Sequence, residues 1–374
     1  MRRKIRSGRE VRLIPNLIAM AFRRDCATIN IDMRMFSKII GASILWLAAF
    51  VIAVPSAQGQ AKPPGPTGNK TIDQAVQAVV RVEAKIPPDA RTVGGLGTER
   101  DGHGVVIDDK GLILTIGYLV LEADQISVTA AGGKPVPASH VAYDHNTGFG
   151  LIRAIKPLGV KPIKFGDSDR VKIDQLLLVA GHGGGFNASP ARLVSRRDFA
   201  GYWEYLLEKA LFTAPPFDAF GGASLIDDKG RLVGIGSLVV PNAANPETVS
   251  PGNMFVPINA LKPILGDLLA GQLPPGRNRP WIGIHSTVLQ GRLFVSNVSK
   301  GGPSDKAGVK DGDLIISVAG QPIKSQMDFY RKLWKIGSAG SRVPLTILTR
   351  QSGVKKITVD SINRYQWLKM PKGN

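Results

Sequence analysis

The chain has 374 residues, 43% hydrophobic and 21% charged, with 48 Lys and Arg against 29 Asp and Glu. That length and balance fit about two globular domains and exclude collagen-like, coiled-coil and wholly disordered chains. A single cysteine excludes an internal disulfide framework and a cysteine-built zinc site, 43 Gly and 26 Pro favour turn-rich β architecture, and the net charge of +19 raises the question of an anionic partner.

Residues 1–34 are a basic extension. An uninterrupted apolar run, Ile39 to Val54, follows Arg34 and Lys38, and Ala57 and Gly59 supply a small-x-small pattern beyond it. Residues 35–59 therefore read as a signal peptide cleaved on export, with a retained inner-membrane anchor as the alternative. The run is shorter than the roughly 20 residues of a comfortable membrane span. The stretch ahead of Met33 resembles no folded unit, so Met33 or Met35 is the expected true start. Residues 1–38 hold ten Lys and Arg and three acids, and 39–59 hold no charge; an exported chain from Gln60 then carries +12 and lacks Cys26. Such a chain folds without oxidative machinery.

Residues 60–70 form a Pro/Gly tether expected to stay disordered. Across 71–270, short β-like runs alternate with Gly, Asp-Lys-Gly and Pro turns: Val80 to Ala84, Gly104 to Ile107, Leu112 to Ile116, Ile126 to Thr129, Leu176 to Ala180 and Leu232 to Val240. This punctuation predicts a barrel or sandwich, and about 200 residues suffice for a double barrel. Ile258 to Ala270 has the apolar spacing of a short helix, and 271–278 reads as a linker. In 279–366, strands at Leu293 to Val298, Leu314 to Val318, Val343 to Thr349 and Lys355 to Val359 alternate with two helical stretches. The second, Ser325 to Ile336, pairs Phe329 with Leu333 one turn apart. Residues 367–374 are a tail, and the whole reads as mostly β.

The segments Trp281-Ile282-Gly283-Ile284, Gly302-Pro303-Ser304-Asp305-Lys306-Ala307-Gly308-Val309-Lys310-Asp311-Gly312-Asp313-Leu314-Ile315 and Val318-Ala319-Gly320-Gln321-Pro322-Ile323 resemble a PDZ domain of the kind found in HtrA/Deg proteases. A small-residue turn at Gly283, flanked by Ile282 and Ile284, aims backbone amides at a peptide carboxylate, and the peptide adds as a strand beside Ile284. Met327, Tyr330 and Trp334 lie off the Phe329/Leu333 stripe and are either groove wall or core.

Upstream, Gly102-His103-Gly104-Val105-Val106-Ile107, Asp144-His145-Asn146-Thr147-Gly148-Phe149-Gly150-Leu151-Ile152, Asp227-Asp228-Lys229-Gly230-Arg231-Leu232 and Gly252-Asn253-Met254-Phe255-Val256-Pro257 resemble the trypsin-like domain of the same family. The resemblance implies a trypsin-like double β-barrel in 71–270, followed by a small α+β PDZ domain in 279–366. It also locates a degenerate triad. The family's Thr-Asn-Asn-His reads Thr115-Ile116-Gly117-Tyr118 here, its Ser-Asp-Ile-Ala-Leu reads Thr147-Gly148-Phe149-Gly150-Leu151, and its Gly-Asn-Ser-Gly-Gly puts Gly221, or Phe220 after a one-residue shift, at the nucleophile. Without hydroxyl, base and orienting carboxylate, attack on a carbonyl has no route, and loss of the serine or histidine alone costs on the order of 10⁶ in turnover. Ser224 reads as a small residue in a strand-entry turn.

Three weaker signals remain. His140, Asp144 and His145 read as solvated loop residues, not a metal site. Gly181-His182-Gly183-Gly184-Gly185 lacks the Gly-Lys-Ser/Thr ending of a phosphate cradle and reads as a loop. Arg192, Arg196 and Arg197, followed by Tyr202, Trp203 and Tyr205, read as a charged turn ahead of core aromatics. The expected protein is periplasmic and needs no cofactor. It binds peptide C-termini or unfolded envelope proteins and not nucleic acid, and meets an anionic envelope surface peripherally. By resemblance it forms a homotrimer. The alternative is an active serine endopeptidase with an unusual constellation.

Overall fold

The computed structural model describes residues 68–183 and 187–370, all within one compact unit, Gln60–Asn374. The basic extension, the signal peptide, most of the tether, Gly184, Gly185 and the last four residues lie outside the described residues.

Helix α1 (Lys70–Gln77) starts where Asn69 Oδ1 accepts from the Thr71 amide at 3.0 Å, an N-cap. Strand β1 (Val79–Lys85) turns Val80, Val82 and Ala84 inward and Arg81 and Lys85 outward, the period of a half-buried strand. After α2 (Val93–Leu96) come β2 (Glu99–Val106), β3 (Leu112–Ile116), β4 (Gln125–Thr129), β5 (Val136–Tyr143) and β6 (Phe149–Ala154), closing a barrel in the order β1-β2-β3-β6-β5-β4. Every residue of β3 is buried.

The second sheet holds β7 (Lys164–Phe165), β8 (Leu176–Ala180), β9 (Ala188–Gly201), β10 (Tyr205–Ala214), β11 (Ser224–Ile226), β12 (Arg231–Val240) and β13 (Gly252–Pro257). Its order is β11-β8-β9-β10-β13-β12, and β11 pairs back to β12, so it too closes. Strand β7 adds to β12 in parallel. The predicted double barrel is present.

The expected helix at Ile258 to Ala270 is instead a 3-10 turn (Ile258–Ala260) and a short α3 (Leu265–Leu269). Pro263 lies between them and denies a continuous helix its backbone donor. The third sheet runs β14 (Ile284–Leu289), β15 (Arg292–Val298), β16 (Leu314–Val318), β18 (Arg342–Thr349), β19 (Gly353–Asp360), with β17 (Gln321–Pro322) beside β16. Strand β14 is therefore an edge. Helices α4 (Pro303–Lys306), α5 (Gln326–Lys335) and α6 (Arg364–Trp367) complete the unit. Ser325 Oγ caps α5 by accepting from the Asp328 amide at 3.1 Å, and α5 buries Phe329, Tyr330 and Leu333. No helix among the described residues is long and apolar enough to cross a membrane.

Two expectations are corrected. Arg192, Arg196 and Arg197 lie in β9, not in a turn. Arg196 Nη2 donates to the carbonyls of Ser168 and Val171 at 2.8 Å. Arg197 donates to Ala243 and Asn242 carbonyls at 2.7 Å and covers the Phe212 ring at 3.7 Å. Guanidinium donors matched to backbone carbonyls allow arginines to pave a half-buried strand. His140 and His145 are likewise not solvated loop residues. His140 is in β5, and His145 is buried with its ring between Tyr143 Oη (3.0 Å) and Arg364 Nη1 (2.9 Å).

Candidate functional site

Of the three residues aligned with a protease triad, Tyr118 and Gly221 meet in space, whereas Gly148 faces Tyr205. Tyr118 follows β3 on a 3-10 turn, Gly117–Leu119, and its hydroxyl donates to the Ser237 carbonyl at 2.9 Å. A Cβ placed on Gly221 would lie 3.0 Å from that hydroxyl. The phenol thus occupies the space between the base position and the nucleophile position, and burial pushes its pKa upward. Phe220 is the less apt match for the nucleophile, because Gly221 is the residue facing Tyr118.

Gly148 has φ +84, and a Cβ there would meet Tyr205 Oη at 3.4 Å. Tyr205 Oη donates to the Thr147 carbonyl at 2.7 Å. An aspartate at 148 would sit in the left-handed region that side chains enter at a cost of about 1–2 kcal/mol. His103 lies beside the nucleophile turn, where its amide donates to the Gly221 carbonyl at 2.8 Å. Its ring Nδ1 accepts from the His182 amide at 3.0 Å, the Ala219 backbone faces the ring as well, and burial holds its pKa down to about 4. Ser224 opens β11 fully buried, and its hydroxyl has no hydrogen-bond partner among the described residues.

The turn before β14, expected to take a peptide carboxylate, holds a side-chain carboxyl of this chain. Glu204, at the tip of the β9–β10 hairpin, accepts from the Ile284 amide at 2.8 Å and the Ile282 amide at 3.2 Å, and the Gly283 amide faces it as well. The tip continues along the edge strand: the Ser286 amide donates to the Tyr202 carbonyl at 2.9 Å. On the helical wall, Tyr330 Oη donates to the Gly201 carbonyl at 2.7 Å, and Gln326 Nε2 reaches Ser286 at 3.1 Å.

Tyr330 is fully buried. Trp334 stacks on it at 5.5 Å and 15° beneath the Arg279 guanidinium, while Met327 packs partly buried on the same core. Of the three expected groove residues, Tyr330 is core and contacts what fills the groove. Leu206 of β10 belongs to the same apolar cluster as Ile282, Ile284 and Phe329.

Burial raises the Glu204 carboxyl to about 7, outweighing the amides of Ile284 and Ile282 and the charge of Arg364. Tyr330 of α5, Arg364 and Tyr365 of α6, Arg277 and Arg279 before β14, and His145 before β6 surround it. His145 stays neutral, because burial and Arg364 hold its pKa far below the usual range. A raised carboxyl favours the protonated form in the folded state. Its contribution is complete below the ordinary pKa of 4.5 and is lost as pH rises through 7. The difference in unfolding free energy between wild type and Glu204→Gln should therefore fall by about 3 kcal/mol from pH 4.5 to 8. Urea titrations across that range check this; a pH-independent difference contradicts it.

Sequence reasoning missed Glu204. No sequence signal marks it: that glutamate closes a three-residue hairpin tip at φ +56, a position that usually goes to glycine, is visible only in the structure.

Residues 102–235 match the trypsin-like peptidase domain family, and residues 280–360 the PDZ domain family. The chain is 27% identical over 286 residues to a probable periplasmic serine protease do/HhoA-like of Haemophilus influenzae, covering 69% of this chain and 59% of that protein. It is 26% identical over 353 residues to the periplasmic pH-dependent serine endoprotease DegQ of Escherichia coli, covering 85% and 76%. A solved HtrA-type protease, AlgW with decapeptide, aligns at 18% identity and TM-score 0.48 over 81% of this chain and 98% of that one. The chain spans about half to three quarters of the length of the curated relatives it matches. With a double barrel and a PDZ sheet in one chain, this protein is HtrA/Deg-like, a trypsin-like peptidase domain followed by a PDZ domain.

Proposed function

We propose that this chain is a non-hydrolysing HtrA/Deg-like protein of the cell envelope. It captures C-terminal tails or unfolded segments of exported proteins through its PDZ groove, as scaffold, chaperone-like factor or regulator. The observation that carries the reading is the Tyr118 hydroxyl, which donates to Ser237 and sits 3.0 Å from where a side chain on Gly221 would begin. An acyl-transfer enzyme needs a nucleophile and base in hydrogen-bond contact at that point. The phenol is occupied as a donor, and glycine offers no nucleophile. Ser224, the nearest serine to that position in sequence, is buried.

The test is a fluorophosphonate probe and an unfolded casein substrate applied to the purified full chain. The expected result is no labelling and casein cleavage at the buffer background. Turnover that disappears in Ser224→Ala overturns the reading.

A further inference from the structure

The β9–β10 hairpin tip meets the PDZ groove at each point where an added peptide strand would. The Glu204 carboxylate takes the amides of Ile282 and Ile284. Two residues upstream, the Tyr202 carbonyl takes the amide of Ser286, two residues further along the edge strand. The tip therefore runs antiparallel to β14, with a carboxylate in the turn and a main-chain bond on the edge. Gly201 closes the other side, its carbonyl receiving Tyr330 Oη from α5.

This arrangement is built at local expense. Glu204 holds φ +56 and is 1% exposed, in a region that non-glycine residues rarely occupy. A three-residue hairpin tip takes that backbone state in any setting and usually fills it with glycine; the glutamate here is the residue that brings a carboxylate to the buried amide turn. The aromatic rings beside it fix the tip further, with Trp203 stacked on Tyr205 at 5.2 Å and Tyr202 edge-on to His285 at 5.5 Å.

We propose that the hairpin tip Gly201–Glu204 is the PDZ groove's own ligand, so that a peptide tail with a free C-terminal carboxylate binds only by displacing the Glu204 side chain. The proposal rests on the tail-capture reading above and adds its control. Apparent affinity for a tail is lowered by the fraction of molecules whose groove is open. The carboxylate specificity of the turn is set by this chain's own residue: amidated tails lack the group that competes with Glu204.

The test uses the full chain and a fluorescein-labelled decapeptide pool ending in a free carboxylate, with the same pool amidated as control, read by anisotropy. Hydrogen exchange of residues 281–287 is read in parallel. Glu204→Gly removes the carboxylate and relieves the backbone strain. It should bind the free-carboxylate pool at least tenfold more tightly than wild type, leave the amidated pool unbound, and expose residues 281–287 to exchange at least tenfold faster. Equal peptide affinities in wild type and Glu204→Gly overturn the proposal. If no peptide binds either protein, exchange decides. Faster exchange at 281–287 in the variant upholds the internal ligand and removes tail capture as the function; unchanged exchange overturns the internal ligand. Should Glu204→Gly fail to fold, Glu204→Ala, which removes the carboxylate and leaves the backbone at 204 as it is, carries the same comparison.

Discussion

Gly222→Ala is expected to cost at least about 4 kcal/mol and to leave the second barrel unable to close. Gly222 has φ +75, and a Cβ there would lie 1.8 Å from the His103 carbonyl oxygen and 2.8 Å from Thr115 Oγ1. Neither neighbour can yield. The His103 carbonyl already accepts from Thr115 Oγ1 at 2.6 Å, the His103 amide donates to Gly221, and the Gly222 amide donates to Gly236 at 2.9 Å. Relief must separate β2 from the turn before β11.

That separation combines about 1–2 kcal/mol for the left-handed backbone, about 1 kcal/mol for each lost hydrogen bond, and about 1–3 kcal/mol of overpacking. The total is a large part of the 5–15 kcal/mol by which domains are stable. Gly221→Ala is the contrast, because its new methyl meets the Tyr118 hydroxyl at 3.0 Å and otherwise makes ordinary contacts with Leu119 and the Tyr118 ring at 3.9 Å, so a change near 1 kcal/mol is expected. Urea midpoints of the two variants measure this. A Gly222→Ala midpoint equal to that of Gly221→Ala would contradict the argument.

Tyr330→Ala should destabilise the PDZ unit by about 3–5 kcal/mol, as loss of a buried aromatic side chain does. The ring is wholly buried and lies 5.5 Å from both Phe329 and Trp334. Its hydroxyl does more than fill space. It donates to Gly201, accepts from the Glu204 amide and Gln326 at 3.3 Å, and pairs with Ser286 Oγ at 3.1 Å. Tyr330→Phe keeps the ring and leaves those partners short of one group, at about 1–3 kcal/mol. Comparing the two by urea unfolding separates packing from polar contact. In Tyr330→Phe, exchange should rise first at residues 201–204, where the hydroxyl holds the hairpin. A Phe variant as stable as wild type with an equally protected tip would show that the hydroxyl holds nothing.

Much of the fold was legible because its determinants are local. Leu112 to Ile116, Leu176 to Ala180 and Leu314 to Val318 are apolar runs between turn residues, and all three are strands with those bounds. Ser325 and the Phe329/Leu333 pair set the start and buried face of α5 within one stretch of chain. Strands β9 and β10 were not legible in this way. Arginine-rich and aromatic residues interrupt the alternation there, and the guanidinium groups find their carbonyl partners in distant segments, around Ser168 and Ala243.

The sequence by itself determined the two barrels and the PDZ sheet, since periodicity, turn chemistry and residue identity are each written within a few positions. Only the tertiary structure decided which distant residues meet Tyr118 and the turn at Gly283. Tyr118 reaches Ser237 across 119 residues, and Glu204 reaches Ile282 and Ile284 across 78 and 80. In one dimension a glutamate among Tyr202, Trp203 and Tyr205 is indistinguishable from a solvated turn residue. Folding brings an amide turn to it, and a buried carboxylate is stable only where such donors converge.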